Sequence, residues 1–269
     1  MPKPFIKWVG GKTKLLPTLL AHLPETYVHY HEPFLGGGAL FFALEPLTAI
    51  LSDVNPHLIN AYKAVQQYRY KLKNQLKQMA VPPTGQEQYT AWRNYWNLTR
   101  GQDQLRIANA AALFIYLNKT CFNGLYRENA KGEFNVPWGK RDFPDQDYDN
   151  IDNCALSLIH AEILCQPFQS SDPSSRDFVY VDPPYDKTCD ASFTKYTKHD
   201  FDTQDQKDLA AWANEKSAKG VQILLSNSDT PLIRSLYSDF KLIEVKNGRA
   251  VAAKSSSRGK VTELLIKNY

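Results

Sequence analysis

The chain has 269 residues, 43% of them hydrophobic and 22% charged, with 32 Lys and Arg against 28 Asp and Glu for a formal net charge of +4. These proportions belong to an ordinary globular protein with a sizeable core, and they exclude a disordered, collagenous or disulfide-scaffold chain. No run approaches the roughly 18 apolar residues of a membrane span, and lysines fill "MPKPFIKWVGGKTK" where a secretory signal needs an apolar core, so a cytoplasmic protein with no membrane partner is expected.

In chain order, "KWVGGKTK" comes first. Gly11-Lys12-Thr13 matches the tail of a phosphate-binding loop, but the position five before Gly11 is Ile6 rather than glycine, and no strand fits before residue 5. The match fails. Two glycines, a lysine and Trp8 suit a small ligand instead, with the cation on its carboxylate and the indole over an apolar part. "KTKLLPTLLAHL" then predicts a helix over residues 12–23. "YVHYHEPF" reads as a strand that ends at an acid, Glu32, and "GGGALFFAL" as a helix opened by glycines. Gly36, Gly37 and Gly38 let backbone approach a ligand closely and leave helix N-terminal amides facing it. "LTAILSDVN" is the next strand, and Asp53 at its end stands where α/β nucleoside sites carry a ribose acceptor.

The middle of the chain differs in kind. Residues 57–147 hold 13 Lys and Arg against 7 Asp and Glu, whereas the remainder holds 19 against 21. A concentration of positive charge suits a polyanion. "EQYTAWRNYWNL" and "QLRIANAAALFIYLNK" have helical periodicity, so this stretch is expected to be a largely helical basic insert in an open, mostly parallel sheet. Cys121, Cys154, Cys165 and Cys189 lack C-x-x-C spacing, so buried thiols are expected and no metal.

"FVYVDPPY" resumes the alternation, with "TQDQKDLAAWANEKSA" as a helix capped by Thr203 and "GVQILLSN" as another buried strand. "FKLIEVKN" and "KVTELLIKN" flank a Ser-, Lys- and Arg-rich loop and predict a terminal antiparallel hairpin. The chemistry concentrates in Asp182-Pro183-Pro184-Tyr185. A carboxylate at the carboxyl end of a parallel strand points into the ligand crevice. The prolines fix φ and lack N–H groups, so the Pro183 carbonyl projects as a rigid acceptor. Asp182 and that carbonyl match the two hydrogens of an –NH2 group, and Tyr185 offers a ring face for stacking. Two fixed acceptors favour the pyramidal, nucleophilic form of an amine whose lone pair is otherwise delocalised into its ring.

With these motifs in this order, the sequence resembles the Dam-type, GATC-specific DNA adenine-N6 methyltransferases. "FIKWVGGK", "EPFLGGGALFF", "SDVN", "NGLYRENAKGEFNVPWG", "VYVDPPY" and "AKSSSRGKVTELLIKNY" carry the resemblance, particularly to members from restriction–modification systems. It implies a Rossmann-like S-adenosylmethionine-dependent sheet, residues 1–56 and 148–269, with a mostly helical target-recognition domain, residues 57–147. It implies a donor site of Trp8, Gly10, Gly11, Lys12, Glu32, Pro33, Phe34, Gly36, Gly38, Asp53 and Asp182, with Phe34 against the adenine and Asp53 on the ribose hydroxyls. Lys7, Phe122, Asn123, Arg127 and Pro137 match DNA-contacting positions, and Phe122 replaces a tyrosine that wedges into the duplex in some members. Arg127 is a natural bidentate reader of guanine, and Arg258 and Lys260 of the Ser-rich loop would hold phosphates. The implied partners are double-stranded DNA and a cognate restriction endonuclease; a monomer is the default expectation. Adenine N6 is paired and stacked in a duplex, so a clamp of this shape requires a flipped-out base. The competing readings are an RNA-adenine or protein-amide N-methyltransferase, and a DNA-binding regulator on an inactive scaffold. The first often has Asn in place of Asp182 and lacks the basic insert; intact Asp182, Asp53 and Lys12 argue against the second.

Overall fold

In the computed structural model, the described residues are 2–81, 84–99, 107–186, 201–248 and 260–269. A seven-stranded sheet has the order β3-β2-β1-β4-β5-β7-β6. Its strands are β1 (Tyr30–Glu32), β2 (Ala49–Asp53), β3 (Ala161–Cys165), β4 (Phe178–Val181), β5 (Gln222–Ser228), β6 (Lys241–Gly248) and β7 (Lys260–Lys267). Strands β3 to β5 of that order run parallel, whereas β7 is antiparallel to both β5 and β6. The terminal hairpin expected from the sequence is thus present, with β7 slotted between β5 and β6.

Alternation along the central strands fills two cores. Phe178 and Tyr180 of β4, Leu224 of β5 and Leu265 of β7 face one apolar cluster. Val179, Val181, Ile223, Leu225, Leu264 and Ile266 face the other. Strands buried on both faces need near-continuous apolar runs, as "FVYV" shows. The second cluster is closed by α7 (Thr203–Ala218) and α8 (Pro231–Leu236), through Leu209, Ala213 and Ile233. On the first lie α1 (Leu16–Leu20), α2 (Ala39–Leu44) and α3 (Pro56–Met79). The same cluster continues into α4 (Gln86–Thr99), α5 (Ile107–Thr120) and α6 (Gln146–Ser157), through Trp96, Phe114 and Ile151. The basic middle of the chain therefore shares a core with the sheet.

Local chemistry explains several differences from expectation. The first helix is five residues long rather than spanning 12–23, because Pro17 belongs in a first turn and Lys12 is drawn away to Asp182. The cap of α7 is Asp202, not Thr203: its side chain accepts from the Gln204 and Asp205 amides while Asp205 reaches back to the Asp202 N–H. The sequence reading passed over α3, which Asn55 caps through the His57 and Leu58 amides ahead of Pro56. It also passed over α6, α8 and the edge strand β3. Cys121 and Cys154 are buried as expected, but Cys165 is exposed because β3 is the sheet edge; Cys189 lies outside the described residues. Among the described residues, no helix is long and apolar enough to cross a membrane, and no cluster of His, Cys, Asp or Glu is arranged to hold a metal ion.

Candidate active site and nucleic-acid interface

Strand order reverses at β1, which pairs with β2 on one side and β4 on the other. Crevices at such switch points, outside the carboxyl ends of parallel strands, are where open α/β sheets bind ligands. Glu32 ends β1, Asp53 ends β2 and Asp182 follows β4, so three carboxyl groups share this edge. Burial raises the pKa of each. It carries Glu32 to about 8 against the hydrogen bond donated by the Tyr30 hydroxyl. The Asn55 and Gly36 amides oppose the rise at Asp53, and the Lys12 charge opposes it at Asp182.

The glycine turn is packed from both sides. Gly36 has φ +47°, and a Cβ there would fall 2.7 Å from Trp8 Cδ1. Gly38 has φ +63°, and its Cβ would fall 2.7 Å from the Tyr62 hydroxyl. Asp53 ties this turn to the neighbouring strand, accepting from the Gly36 amide at 3.1 Å and from the Asn55 amide at 2.9 Å. The Tyr62 hydroxyl donates to the Gly36 carbonyl. Pro33 is buried, and Phe34 stacks on Phe168 at 5.5 Å with Phe201 edge-on at 5.9 Å.

Lys12 crosses from the N-terminal loop to the acid of the Asp-Pro-Pro-Tyr run. Its Nζ donates to the Gly10 carbonyl at 2.7 Å and lies 2.8 Å from Asp182 Oδ1. It also sits 4.8 Å from the centre of the Tyr185 ring. Asp182 Oδ1 is buried beside this charge but has no aligned hydrogen-bond donor among the described residues. Gly11 turns its amide onto the Trp8 carbonyl at 3.1 Å, just ahead of Lys12. Polar groups that the sequence reading missed fix the backbone of the run. Gln206 of α7 donates to the Pro184 carbonyl at 2.8 Å and accepts from Asn227, which accepts from the Asp186 amide at 3.1 Å. Ser228 donates to the Asp186 carbonyl, and the Tyr185 hydroxyl donates to Glu263 of β7 at 3.2 Å. The available signal was "SNSDT", a polar run ending an apolar strand, together with a glutamine on the inward face of α7.

The residues expected at DNA form a second assembly beside this crevice. Residues 121–139 fold back on themselves through the Glu128–Phe134 and Cys121–Trp138 bridges. Phe122, Asn123, Arg127 and Pro137 are all exposed on it, and Phe122 donates its amide to the Pro137 carbonyl at 2.9 Å. At 51% exposure, the Phe122 ring is no core residue. Asn123 has φ +56°, a conformation asparagine tolerates better than most residues. Arg127 Nε donates to Asn135 Oδ1 at 2.8 Å, which orients the guanidinium. Lys7 joins this group: a Cβ on Gly124 would fall 2.4 Å from its Cδ, and Asn118 binds both its amide and its carbonyl. Burial lowers the Lys7 pKa, with Arg141 and Lys119 adding positive charge nearby. Arg258 and the side chain of Lys260 lie outside the described residues.

The arrangement offers a glycine cradle with a carboxylate behind it, a second carboxylate ending the neighbouring strand, and an exposed polar hairpin alongside. Comparison with known proteins bears on what it does. Residues 8–251 match the family described as D12 class N6 adenine-specific DNA methyltransferase. The chain is 37% identical to the type II methyltransferase M1.LlaDCHI of Lactococcus lactis subsp. cremoris, covering 99% of this chain and 95% of the relative. It is 36% identical to the type II methyltransferase M.MjaIII of Methanocaldococcus jannaschii, covering 99% of each. It is 35% identical to the DNA adenine methylase of Escherichia coli K12, covering 97% of this chain and 93% of the relative.

Proposed function

The chain belongs to the D12 class of N6 adenine-specific DNA methyltransferases and methylates adenine in DNA, and from that premise we propose the donor, the site and the residues that do the work. The donor is S-adenosylmethionine, and the target is the adenine of GATC, flipped out of the duplex. The reading rests above all on one observation: Asp182, half-buried where β4 ends at the switch point, is held by the Lys12 ammonium at 2.8 Å and heads the Asp-Pro-Pro-Tyr run.

The residues present fit the donor. Gly36 and Gly38, both at positive φ and packed against Trp8 and Tyr62, hold the turn in the tight shape that would present its backbone to the donor. Trp8, Gly10, Gly11, Lys12, Glu32, Pro33, Phe34, Gly36, Gly38 and Asp53 line its pocket, with Asp53 as the ribose acceptor. When bound, S-adenosylmethionine supplies an electrophilic methyl group on a sulfonium centre. The Lys12 charge opposes the burial that raises the Asp182 pKa. The Asp182 carboxylate and the Pro183 carbonyl then accept the two N6 hydrogens of the flipped adenine, freeing the nitrogen lone pair for attack. Gln206 and Asn227 keep the Pro184–Asp186 backbone from yielding as charge develops. Tyr185, pinned to Glu263, supplies the stacking surface.

Residues 57–147 form the target-recognition domain and residues 1–56 and 148–269 the catalytic domain. Arg127 reads a guanine, Lys7 reaches a second base, and Asn123, Phe122 and Pro137 line the duplex; Arg258 and Lys260 hold phosphates. The enzyme acts as a monomer, and the type II methyltransferase names of two relatives favour a cognate endonuclease as its counterpart.

The test is methylation by purified enzyme of duplexes carrying GATC or each single-base variant, with N6-methyladenine mapped by sequencing. Methylation confined to GATC is expected. Equal methylation of a variant would remove that base pair from the site. Arg127→Ala should flatten the preference at one guanine, with a loss of about 1–3 kcal/mol of discrimination there. If every variant weakened equally, Arg127 would hold a phosphate instead.

A further inference from the structure

Trp8 touches both halves of the site. One edge of its indole lies on the glycine turn, where a Gly36 Cβ would come within 2.7 Å. Its face stacks on Tyr126 with ring centres 5.9 Å apart and planes inclined by 19°. Tyr126 is buried, wedged against Phe114 at 5.5 Å and Phe134 at 5.8 Å, and it directly precedes the exposed Arg127. The neighbour of Trp8 repeats the connection, since the Lys7 stem covers Gly124 while Asn118 binds Lys7 and the Gly124 carbonyl together. Backbone at residues 7–8 and the loop from Phe122 to Arg127 are thereby packed as one block.

We propose that Tyr126 is a positioning residue that couples the donor pocket to the DNA-reading loop through its stack on Trp8. The inference rests on the reading of the glycine turn as the donor site. A ligand seated against Gly36 restricts the indole, the indole restricts the Tyr126 ring, and a ring wedged between Phe114 and Phe134 sets the backbone that launches Arg127. Ordering the block once serves both ligands, so each strengthens the other by the same factor.

The factor is read by titrating a labelled GATC duplex into the full-length enzyme, with and without saturating S-adenosylhomocysteine. In the unaltered protein the analogue should tighten DNA binding by about fivefold or more, the lower end of common coupling strengths. Tyr126→Phe keeps the stack and loses the hydroxyl contact to Glu128, so it should retain the factor. Tyr126→Met fills the space between Phe114 and Phe134 without presenting a ring, so the factor should drop below about twofold. Binding of the analogue alone, followed by calorimetry, should match the unaltered enzyme in both variants. If Tyr126→Met fails to fold, Tyr126→Leu takes its place under the same criterion. An undiminished factor in the ringless variant overturns the proposal, as does the lack of any coupling in the unaltered enzyme. An analogue that does not bind the unaltered enzyme removes the donor site, and this inference with it.

Discussion

Asp182 and Glu32 stand at the ends of adjacent strands, and their surroundings divide their roles. Asp182 has Lys12 at 2.8 Å, whereas Glu32 has a neutral phenol, Tyr30, and two other carboxyl groups for company. Asp182→Asn keeps the shape but replaces one acceptor with a donor facing the substrate amine. Single-turnover methyl transfer should fall by at least about tenfold, or roughly 1.4 kcal/mol, with DNA binding still measurable. A smaller loss would take Asp182 out of the clamp. Glu32 makes a different prediction. Its folded-state pKa of about 8 lies above the ordinary carboxylate value. The native protein therefore holds a proton that the unfolded chain releases, and stability falls as pH rises through the interval between the two values. Glu32→Gln has no proton to release. Its melting temperature relative to the unaltered protein should rise steadily from pH ~5 to pH ~8, between the unfolded and folded values. A constant difference across that range would show that Glu32 is ionised when folded. At this scale the sequence was legible in part: residue types and strand ends pointed to Asp182, Asp53 and Glu32, but Gln206, Asn227 and Asn118 act through contacts between residues distant in sequence.

The glycine turn between β1 and α2 shows how an element can be read too evenly. "GGG" suggests three equivalent positions. Gly36 and Gly38 have positive φ and no room for a Cβ, while a Cβ on Gly37 would meet the Trp8 Cβ at an ordinary 3.5 Å. Gly36→Ala should weaken S-adenosylmethionine binding by at least about tenfold, because left-handed backbone with a crowded Cβ strains the cradle. Gly37→Ala should bind within about threefold of the unaltered enzyme, a surface-like change of well under 1 kcal/mol. Calorimetry on both variants decides it, and equal losses would mean that the turn tolerates no side chain at all. Helix α7 was read over residues 203–218, with its cap placed one residue late, because its polarity pattern is local. Helix α3 and strand β3 were not. Tyr68 interrupts α3 with non-helical backbone, and β3 is an edge strand of which only Ile163 is fully buried. Their stability comes from the shared core rather than from their own pattern.

The whole molecule sets the crevice and the exposed hairpin side by side, an arrangement suited to a base leaving the duplex. A 2-aminopurine at the target position should brighten on binding, since stacking quenches it, and Tyr185→Ala should give the larger signal because it removes the ring that would re-quench it. No change with either protein, despite confirmed binding, would argue against extrusion. By itself the sequence determined the alternating α/β class, the place of Asp-Pro-Pro-Tyr at a strand end, the glycine turn and the terminal hairpin, because each is encoded over a few consecutive residues by φ preference, periodicity and hydrogen-bonding capacity. Its motif order also sufficed to identify the family. Only the tertiary structure decided that Lys12 spends its charge on Asp182, that Trp8 stacks on Tyr126, and that the basic middle of the chain continues the core of the sheet. The first two are contacts between segments more than a hundred residues apart in sequence. They form because apolar faces that cannot be buried locally must find one another, and no window of adjacent residues records which ones meet.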